Sequence, residues 1–355
     1  MLKKLSIIIV NYNSGEELIV CIKSIRRYLT NVSYEIIVVD NNSTDNSREL
    51  LKEFSAEIKT IILETNTGFS SANNYGVDKS TGEYLLLLNP DTILIDSTLK
   101  EMIKFLNLYP DVGVVGPFLI GKNGENHLPP HYFPLLKHQI MEALFIHNYY
   151  WKYKKRLHQK NLMNQLSPFE VDWISGACFL FVREVFTQTG GLDERFHLYA
   201  EDVDWCKRIR ERGWKIYCYP KCKIVHLKGS STHKDFNSLV YNRYKSKRIY
   251  GQKHYTPLKY IILHFWVLIG LILRLIVLPF RVNQKVKEKR ARLKGYVYSI
   301  IIWTGFGSMI TFNSPEKKNK LRQTIKKIPI VGSLVGCIYR KWFNPIKPFS
   351  GSKRY

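Results

Sequence analysis

Short apolar runs alternate with amphipathic stretches through the first third of the chain. The apolar runs, rich in Ile, Leu and Val, lie at 5–10, 34–39, 60–63, 84–88 and 111–115. Stretches with apolar residues at helical spacing lie between them, at 16–28, 43–54, 71–77 and 97–108. Strands that are buried on both faces and joined by helices form parallel sheets through right-handed crossovers. The pattern therefore predicts an α/β fold with a Rossmann-like, mostly parallel sheet and flanking helices.

The pattern weakens in the middle of the chain and then recovers. Residues 122–167 are rich in Tyr, His, Lys and Pro, and we interpret them as a variable insertion that can face a substrate. The elements predicted after it are a strand at 171–182, a helix at 202–212 and short strands at 215–219 and 223–225. Long apolar runs broken by basic clusters follow. We therefore divide the chain into an α/β domain, 1–235, and a C-terminal helical region, 236–355.

Polar residues follow three of the predicted strands at the point where each strand ends. These residues are Asn11-Tyr12-Asn13, Asp40-Asn41-Asn42 and Asn89-Pro90-Asp91. Because ligands of such sheets bind at the carboxyl ends of the strands, we expect the three groups to share one crevice.

The residue types in this crevice are suited to a nucleotide. Asp40 and Asn41 can hydrogen-bond a base or ribose, and Tyr12 can stack on the base. Asp91 can hold Mg²⁺ or Mn²⁺ at a diphosphate, where the ion screens the charge of a departing nucleotide. Both acidic groups also have a purely structural interpretation: Asp40 can shape its turn, and Asn89-Pro90-Asp91 is a common turn sequence.

A second acidic group opens the predicted helix after residue 200. Glu201 and Asp202 lie in its first turn, where the helix dipole alone favours acidic residues. A transfer to a hydroxyl needs a carboxylate that takes the proton, which gives the pair a functional interpretation. Trp173 can stack on a sugar or fill the core. His226 can ligate a metal or serve the fold.

The charge of the chain points to anionic partners. The 355 residues include 54 Lys and Arg but 29 Asp and Glu, which gives a net charge of +25. Such an excess suits nucleic acid, an anionic membrane surface or an anionic substrate. The six cysteines show no paired spacing, so we expect reduced thiols in a cytosolic compartment.

Taken together, the motifs resemble those of the inverting GT-A glycosyltransferases of family 2, in the rhamnosyltransferase-like branch. The matching segments cover roughly residues 5–230 and include IIIVNYN at 7–13, VVDNNSTD at 38–45, NTGFSSANN at 66–74, LNPD at 88–91 and WISGA at 173–177. Glu201-Asp202 and His226 complete the match. One departure is Asn89, where many relatives have the first Asp of a D-x-D motif, which puts strict metal dependence in doubt.

The resemblance implies a role for each site residue. Those on the donor side are the nucleotide contacts Tyr12, Asp40 and Asn41, the phosphate-side residues Gly68 and Asn73, and Asn89. Asp91 binds the metal, and His226 matches a metal ligand of some members. Asp202 is the base, and we assign Trp173 and Glu201 to the acceptor. The implied reaction moves a sugar from a nucleotide-diphospho-sugar to a hydroxyl of a surface-glycan acceptor with inversion, and dTDP-L-rhamnose is the first choice of donor.

Two alternatives use the same residues differently. A sugar nucleotidyltransferase shares the sheet, metal and carboxylates, but Asn11-Tyr12-Asn13-Ser14-Gly15 has no cation to hold a triphosphate. A basic, non-enzymatic nucleic-acid-binding protein would explain the charge. However, much of that charge flanks apolar runs and no nucleic-acid module is recognisable, so we expect no nucleic-acid partner.

The C-terminal region predicts contact with a membrane. Apolar runs lie at 260–280, 296–312 and 328–339, and the segment 281–294 is strongly basic. Because nucleotide-sugars are cytosolic, the catalytic part must face the cytosol. If the first apolar run spanned the membrane, this basic segment would then lie outside, against the positive-inside tendency. We therefore expect a peripheral or monotopic enzyme on the cytoplasmic face, with basic clusters on anionic lipid and a polyprenyl-linked acceptor. Two full spans are the alternative.

Overall fold

The computed structural model describes residues 4–125, 132–146, 167–227, 236–280 and 286–304. Several predicted features lie outside these residues: much of the insertion 122–167, part of the basic segment 281–294, and the apolar runs beyond residue 304. Two compact units are present, 1–299 and 300–355. The boundary that we placed at residue 235 stays a prediction.

The described strands are β1 Leu5–Asn11, β2 Tyr34–Asp40, β3 Ile58–Ile62, β4 Tyr84–Leu88, β5 Thr92–Leu94, β6 Val112–Ile120, β7 Phe169–Glu170, β8 Cys178–Val182 and β9 Lys215–His226. The described helices are α1 Gly15–Tyr28, α2 Ser47–Lys52, α3 Phe69–Asp78, α4 Thr98–Leu108, α5 Leu136–Ala143, α6 Arg183–Thr189, α7 Glu201–Glu211, α8 Phe236–His254, α9 Pro257–Val277 and α10 Val286–Trp303. A 3-10 turn, Leu278–Phe280, follows α9.

The strands form one mixed sheet with flanking helices, in which four of the described strand pairings are parallel and four are antiparallel. Its order is β3-β2-β1-β4-β8-β6-β9-β5, with β7 beside β9. The first four strands in this order are parallel, as predicted, but β8 is antiparallel to both β4 and β6. Leu88, the last residue of β4, pairs with Cys178, the first of β8. The chain thus enters β8 from the edge of the sheet where β4 ends.

Both faces of the sheet are covered, which explains why the first strands are apolar throughout. In β1, Ile7 and Ile9 pack in the cluster that contains Leu18 and Ile22 of α1, whereas Ile8 points to the other face. On that second face the indole of Trp205 in α7 stacks on Phe179, with ring centroids 5.1 Å apart. Buried strands held from two sides give the polar residues at their carboxyl ends fixed positions.

Helix α9 packs along one side against α5. A Cβ on Gly270 would lie 2.8 Å from the Cα of Ala143, so the two helices approach as closely as a glycine permits. The guanidinium of Arg274 donates to the carbonyl oxygens of Glu142 and Ala143 at 2.7 and 3.2 Å. These bonds satisfy carbonyl groups at the end of α5 that have no partner within the helix.

Candidate active site

Asn11 and Asp40 lie side by side where β1 and β2 end, and both are fully buried. Asn11 Nδ2 donates to Asp40 Oδ2 at 2.9 Å, and Asp40 Oδ1 accepts bonds from Ser43 N and Arg48 Nε at 3.1 and 2.9 Å. The buried carboxylate is therefore compensated by hydrogen bonds and one cation. Our sequence reasoning missed Arg48, whose only signal is a basic residue in the first turn of the helix that follows Asp40.

Asn41 ties this strand end to the loop before α3. Its Nδ2 donates to Asn66 Oδ1 and to the carbonyl oxygen of Gly68 at 3.2 and 3.1 Å, and its Oδ1 accepts from Thr67 N at 2.9 Å. The side chain is buried and its hydrogen-bonding groups are used. Tyr12, next to Asn11, is 42% exposed and can meet a ligand from solvent.

The loop 66–68 contacts a segment that precedes α7. Gly68 has φ +91°, and a Cβ there would overlap the imidazole of His197. Phe69 N donates to the His197 carbonyl oxygen at 3.0 Å. Burial and the positive charge of Lys245 lower the pKa of His197, which favours its neutral form. Asn73 Nδ2, one turn into α3, donates to the Phe69 carbonyl oxygen at 2.9 Å.

The turn after β4 brings Asp91 to His226 at the end of β9. His226 Nε2 lies 3.2 Å from Asp91 Oδ1. Ligand atoms about 2.1 Å from an octahedral ion are about 3.0 Å apart, so this spacing suits neighbouring ligands of one Mg²⁺ or Mn²⁺. Within the described residues no group of three His, Cys, Asp or Glu side chains forms a metal site. Such an ion would depend on substrate oxygens for much of its coordination, which is usual for Mg²⁺.

The acidic pair at the start of α7 is held by strained backbone. Tyr199 and Ala200, directly before it, have φ of +72° and +64°. Non-glycine residues in this region carry strain and cluster at functional sites. Asp202 Oδ2 accepts a 3.1 Å bond from Gly176 N, and its Oδ1 accepts a 2.8 Å bond from Val203 N.

Burial raises the pKa of Asp202 although its two backbone bonds oppose the shift. Burial, followed by the charge of Asp202, raises the pKa of Glu201 well above its usual range. The two carboxyls titrate as a pair. Burial and the charge of one carboxylate on the other disfavour the form of the pair that carries two negative charges.

These groups meet at one edge of the sheet through a short series of contacts. Asn89 N donates to the Ala177 carbonyl oxygen at 3.0 Å, and the neighbouring Gly176 binds Asp202. A Cβ on Gly176 would lie 3.4 Å from the ring of Phe69, the first residue of α3. The turn that carries Asp91, the loop before α3 and the start of α7 are therefore adjacent.

Several buried polar atoms in this region have no hydrogen-bond partner within the residues described. They are Asn11 Oδ1, Asn89 Oδ1, Glu201 Oε2 and His226 Nδ1. An unpaired buried polar atom costs about 1–3 kcal/mol, so such atoms are rare away from sites that receive a ligand. Their concentration at one sheet edge is the electrostatic signature of a polar binding site.

Trp173 occupies the border of the core. Its Nε1 donates to the Tyr132 carbonyl oxygen at 3.0 Å, and its ring packs against the cluster that contains Phe196 and Tyr250. Its contact with an acceptor sugar stays a prediction, as do the ligand contacts of the other residues named above.

Comparison with known proteins identifies a sequence family. The sequence model described as "Glycosyl transferase family 2" matches residues 6–189. The chain is 25% identical, over 265 residues, to the N-acetylglucosaminyl-diphospho-decaprenol L-rhamnosyltransferase of Mycobacterium tuberculosis. That alignment covers 69% of this chain and 83% of the relative.

Two further proteins are similar at lower identity. The dTDP-rhamnosyl transferase RfbF of Shigella flexneri is 23% identical over 237 residues, which cover 64% of this chain and 70% of the relative. A solved structure, the mannosyltransferase PcManGT of Pyrobaculum calidifontis in complex with GDP-Man and Mn²⁺, is 14% identical with a TM-score of 0.49. It covers 87% of this chain and 84% of that one.

Proposed function

Because the chain belongs to glycosyl transferase family 2, we propose that it moves a sugar from a nucleotide-diphospho-sugar to a hydroxyl of a lipid-linked glycan. The predicted family and the enzyme class, glycosyltransferase, are confirmed. The finer assignment is dTDP-L-rhamnose as donor and a glycan on a polyprenyl carrier as acceptor, in surface-polysaccharide synthesis. The activities for which the two rhamnosyltransferase relatives are named support it. A mixed α/β sheet flanked by helices is consistent with the GT-A fold.

The observation that carries the proposal is the adjacency of Asp202 to the donor-side turns. Asp202 binds Gly176, and the next residue binds the backbone of Asn89, two residues before Asp91. A carboxylate with a raised pKa thus lies beside a turn suited to a diphosphate. Nucleophile activation and leaving-group stabilisation are the two needs of glycosyl transfer.

The proposed chemistry is a single displacement. The acceptor oxygen forms a bond to the anomeric carbon while the bond from that carbon to the diphosphate oxygen breaks. Asp202 takes the proton of the acceptor hydroxyl, and the electron pair of the broken bond leaves with the nucleoside diphosphate. One displacement inverts the anomeric configuration. The raised pKa of Asp202 favours proton acceptance, because a base is most effective when its pKa approaches the working pH.

On the donor side, we propose that Tyr12 stacks on the base while Asp40 and Asn41 shape the rim of the nucleotide site. Both side chains are buried and their polar groups already accept or donate hydrogen bonds. Asn41 holds the loop that carries Gly68, so it fixes the approach of the phosphates. Asn73 anchors the same loop through Phe69.

Asp91 and His226 fit a divalent cation, and Asn89 supplies an unpaired amide oxygen on the same turn. When bound, Mg²⁺ or Mn²⁺ neutralises charge on the diphosphate. These residues also orient the turn without the ion, since Asn89 O accepts bonds from Thr92 N and Oγ1.

We further propose that the enzyme lies on the cytoplasmic face of the membrane through α9. Residues 257–280 form a helix long and apolar enough to cross a bilayer by length and composition. One side of it is buried, with Leu263, Val267 and Leu271 facing inward. The other side exposes Leu258, Ile261, Phe265, Ile276 and Phe280. A helix attached to α5 on one side and apolar on the other is suited to the plane of the interface.

A donor and acceptor panel tests the proposal. The purified chain is incubated with dTDP-L-rhamnose, UDP-N-acetylglucosamine or GDP-mannose, with Mn²⁺ and an N-acetylglucosaminyl-diphospho-prenol. Product anomers are assigned by NMR. We expect transfer from dTDP-L-rhamnose with inversion. Transfer with retention would overturn the mechanism, and transfer from another donor alone would overturn the donor assignment.

A further inference from the structure

A cavity of about 480 Å³ lies directly beside the strained residues that precede the acidic pair. Tyr199 and Ala200 form one side of it, and helices α5, α8 and α9 supply most of the rest. Its size is within the range of about 300–1,000 Å³ that is usual for small-molecule sites. Ala200, which lines the cavity, immediately precedes Glu201, so the cavity borders the segment that carries the acidic pair.

The walls of the cavity are held together across distant parts of the sequence. Ser246 Oγ in α8 donates to the Leu198 carbonyl oxygen at 2.8 Å, which attaches the strained segment to α8. The hydroxyl of Tyr255 donates to the Pro134 carbonyl oxygen at 2.6 Å. A Cβ on Gly251 would lie 2.7 Å from Leu263, so α8 and α9 are in close contact. The cavity is thus a built feature of the fold.

One end of the cavity is positively charged. The carboxylate of Glu142 pairs with Arg243 at 3.0 Å and with Lys247 at 2.8 Å, and Arg274 binds its carbonyl oxygen. Among the charged side chains that line the cavity, two cations therefore face one carboxylate, and the excess charge is +1. Although burial opposes it, the charges of Lys247 and Arg243 lower the pKa of Glu142 to about 2, so the carboxylate stays ionised. The side chain of Arg243 is 63% exposed and can take a second anionic partner.

The remainder of the lining is aliphatic, aromatic and polar. Leu239, Val240 and Leu263 contribute aliphatic surface, and the hydroxyl groups of Ser246 and Tyr255 are already bonded to carbonyl oxygens of the chain. Gln139 differs from these, because its buried Oε1 has no hydrogen-bond partner within the described part of the chain. An unpaired buried acceptor can be satisfied by a donor that a ligand supplies, such as a sugar hydroxyl.

We propose that this cavity binds the diphosphate and the first isoprenoid units of the lipid-linked acceptor. This inference rests on the proposed function and assigns a site to its acceptor. The excess charge at Arg243 and Lys247 matches a diphosphate, and the aliphatic wall matches the prenyl chain. Leu263 lies on α9, whose opposite side is the apolar surface proposed to meet the membrane. The proposal therefore places the prenyl chain against α9 and the sugar at the end of the cavity formed by Tyr199 and Ala200.

The test measures binding without any transfer reaction. Geranyl diphosphate is titrated into the full chain by calorimetry in the presence of saturating dTDP, so that the donor site is filled. We expect saturable binding that weakens about ten-fold in Arg243→Gln, because a charge-assisted hydrogen bond is lost. Arg243→Lys should recover most of the affinity. Geraniol and inorganic diphosphate should each bind more weakly than the complete probe.

A matched control is Arg26→Gln. Arg26 is half-exposed and pairs with Glu57 at 3.0 Å, as Arg243 does with Glu142, but it lies on α1. Its loss should leave the affinity unchanged. The inference is overturned if geranyl diphosphate does not bind, or if both glutamine variants bind it as the unchanged chain does. If the unchanged chain binds geranyl diphosphate as expected but transfers no sugar, that result would instead count against the proposed function.

Discussion

The backbone N–H of Gly176 donates a 3.1 Å hydrogen bond to Oδ2 of Asp202, across 26 residues of sequence. Val203 N binds the other carboxylate oxygen, so neither oxygen rotates freely. A base held in this way is pre-oriented, which is the structural condition for general base catalysis.

The first prediction concerns Asp202→Asn. The amide removes the proton acceptor and changes the volume little, so the variant should fold while transfer falls by roughly 10²–10⁴-fold. The loss should appear in kcat, measured with saturating donor. Donor affinity, measured by calorimetry with dTDP-L-rhamnose, should stay within about two-fold of the unchanged chain, since about 0.4 kcal/mol corresponds to that factor. Turnover near that of the unchanged chain would contradict the assignment of the base.

The second prediction contrasts Glu201→Gln with that variant. Glutamine has the shape of the protonated Glu201 that the raised pKa favours, so most of the transfer activity should remain. A raised carboxyl pKa means that the base is lost on acidification at higher pH than for an ordinary aspartate. The apparent pKa of the acidic limb of the kcat/KM profile should therefore lie above 3.8, the ordinary value for an aspartate, in both the unchanged chain and Glu201→Gln. Equal inactivation by Glu201→Gln and Asp202→Asn would show that the two carboxyls cannot be separated.

The third prediction concerns the cation. Mn²⁺ should tighten dTDP binding, and Asp91→Asn should weaken that effect by at least about ten-fold. Mn²⁺ binding by electron paramagnetic resonance and dTDP affinity by calorimetry provide readouts independent of turnover. Glu101→Gln is the control, since Glu101 is an exposed carboxylate of α4 that pairs with Lys104. Identical Mn²⁺ dependence in Asp91→Asn and Glu101→Gln would remove Asp91 from the metal site.

The fourth prediction compares two glycines with positive φ. Gly68→Ala places a Cβ on the imidazole of His197, whereas Gly124→Ala at φ +79° meets nothing within 4 Å. Both changes place a side chain at positive φ, which costs roughly 1–3 kcal/mol, and Gly68, at ψ 173°, lies in a backbone region that is essentially restricted to glycine. Gly68→Ala should cost about 1–3 kcal/mol more in denaturant unfolding and should weaken donor binding. If Gly68→Ala and Gly124→Ala lose the same free energy of unfolding, the imidazole of His197 moves aside at no measurable cost.

The fifth prediction tests the membrane surface. Phe265→Asp on the outer side of α9 should reduce sedimentation with vesicles that contain anionic lipid, because it places a charge in the apolar layer. Leu108→Asp is matched to it, since Leu108 is 73% exposed but lies at the end of α4. That control should bind vesicles as the unchanged chain does. If Phe265→Asp sediments with vesicles as the unchanged chain does, this face of α9 is not the surface that contacts the membrane.

The first four strands were predictable because continuous burial gives them long apolar runs. β5 was not predicted from the sequence, since Thr92–Leu94 is three residues long and directly follows a turn. The two short strands expected near residues 215 and 223 are one strand, β9, with a register irregularity opposite Pro117. The antiparallel course of β8 depends on where the preceding segment runs, and local periodicity carries no information about that.

The site was predictable in its residue types but not in its contacts. Strand ends pointed to Asp40 and Asp91, because a parallel sheet places such ends together. The saturation of Asp40 by Asn11, Ser43 and Arg48 follows from tertiary packing, which no spacing rule encodes. The same is true of the cations around Glu142, which come from residues about a hundred positions away.

The bonds from Arg274 to the end of α5 span 131 and 132 residues. Because chains emerge from the ribosome amino terminus first, the carbonyl groups at the end of α5 can bond Arg274 only after α9 has been synthesised. Helix α9, which completes this wall of the cavity, is also the helix proposed to contact the membrane. Completion of this wall and synthesis of the helix proposed to meet the membrane are therefore the same step of chain synthesis.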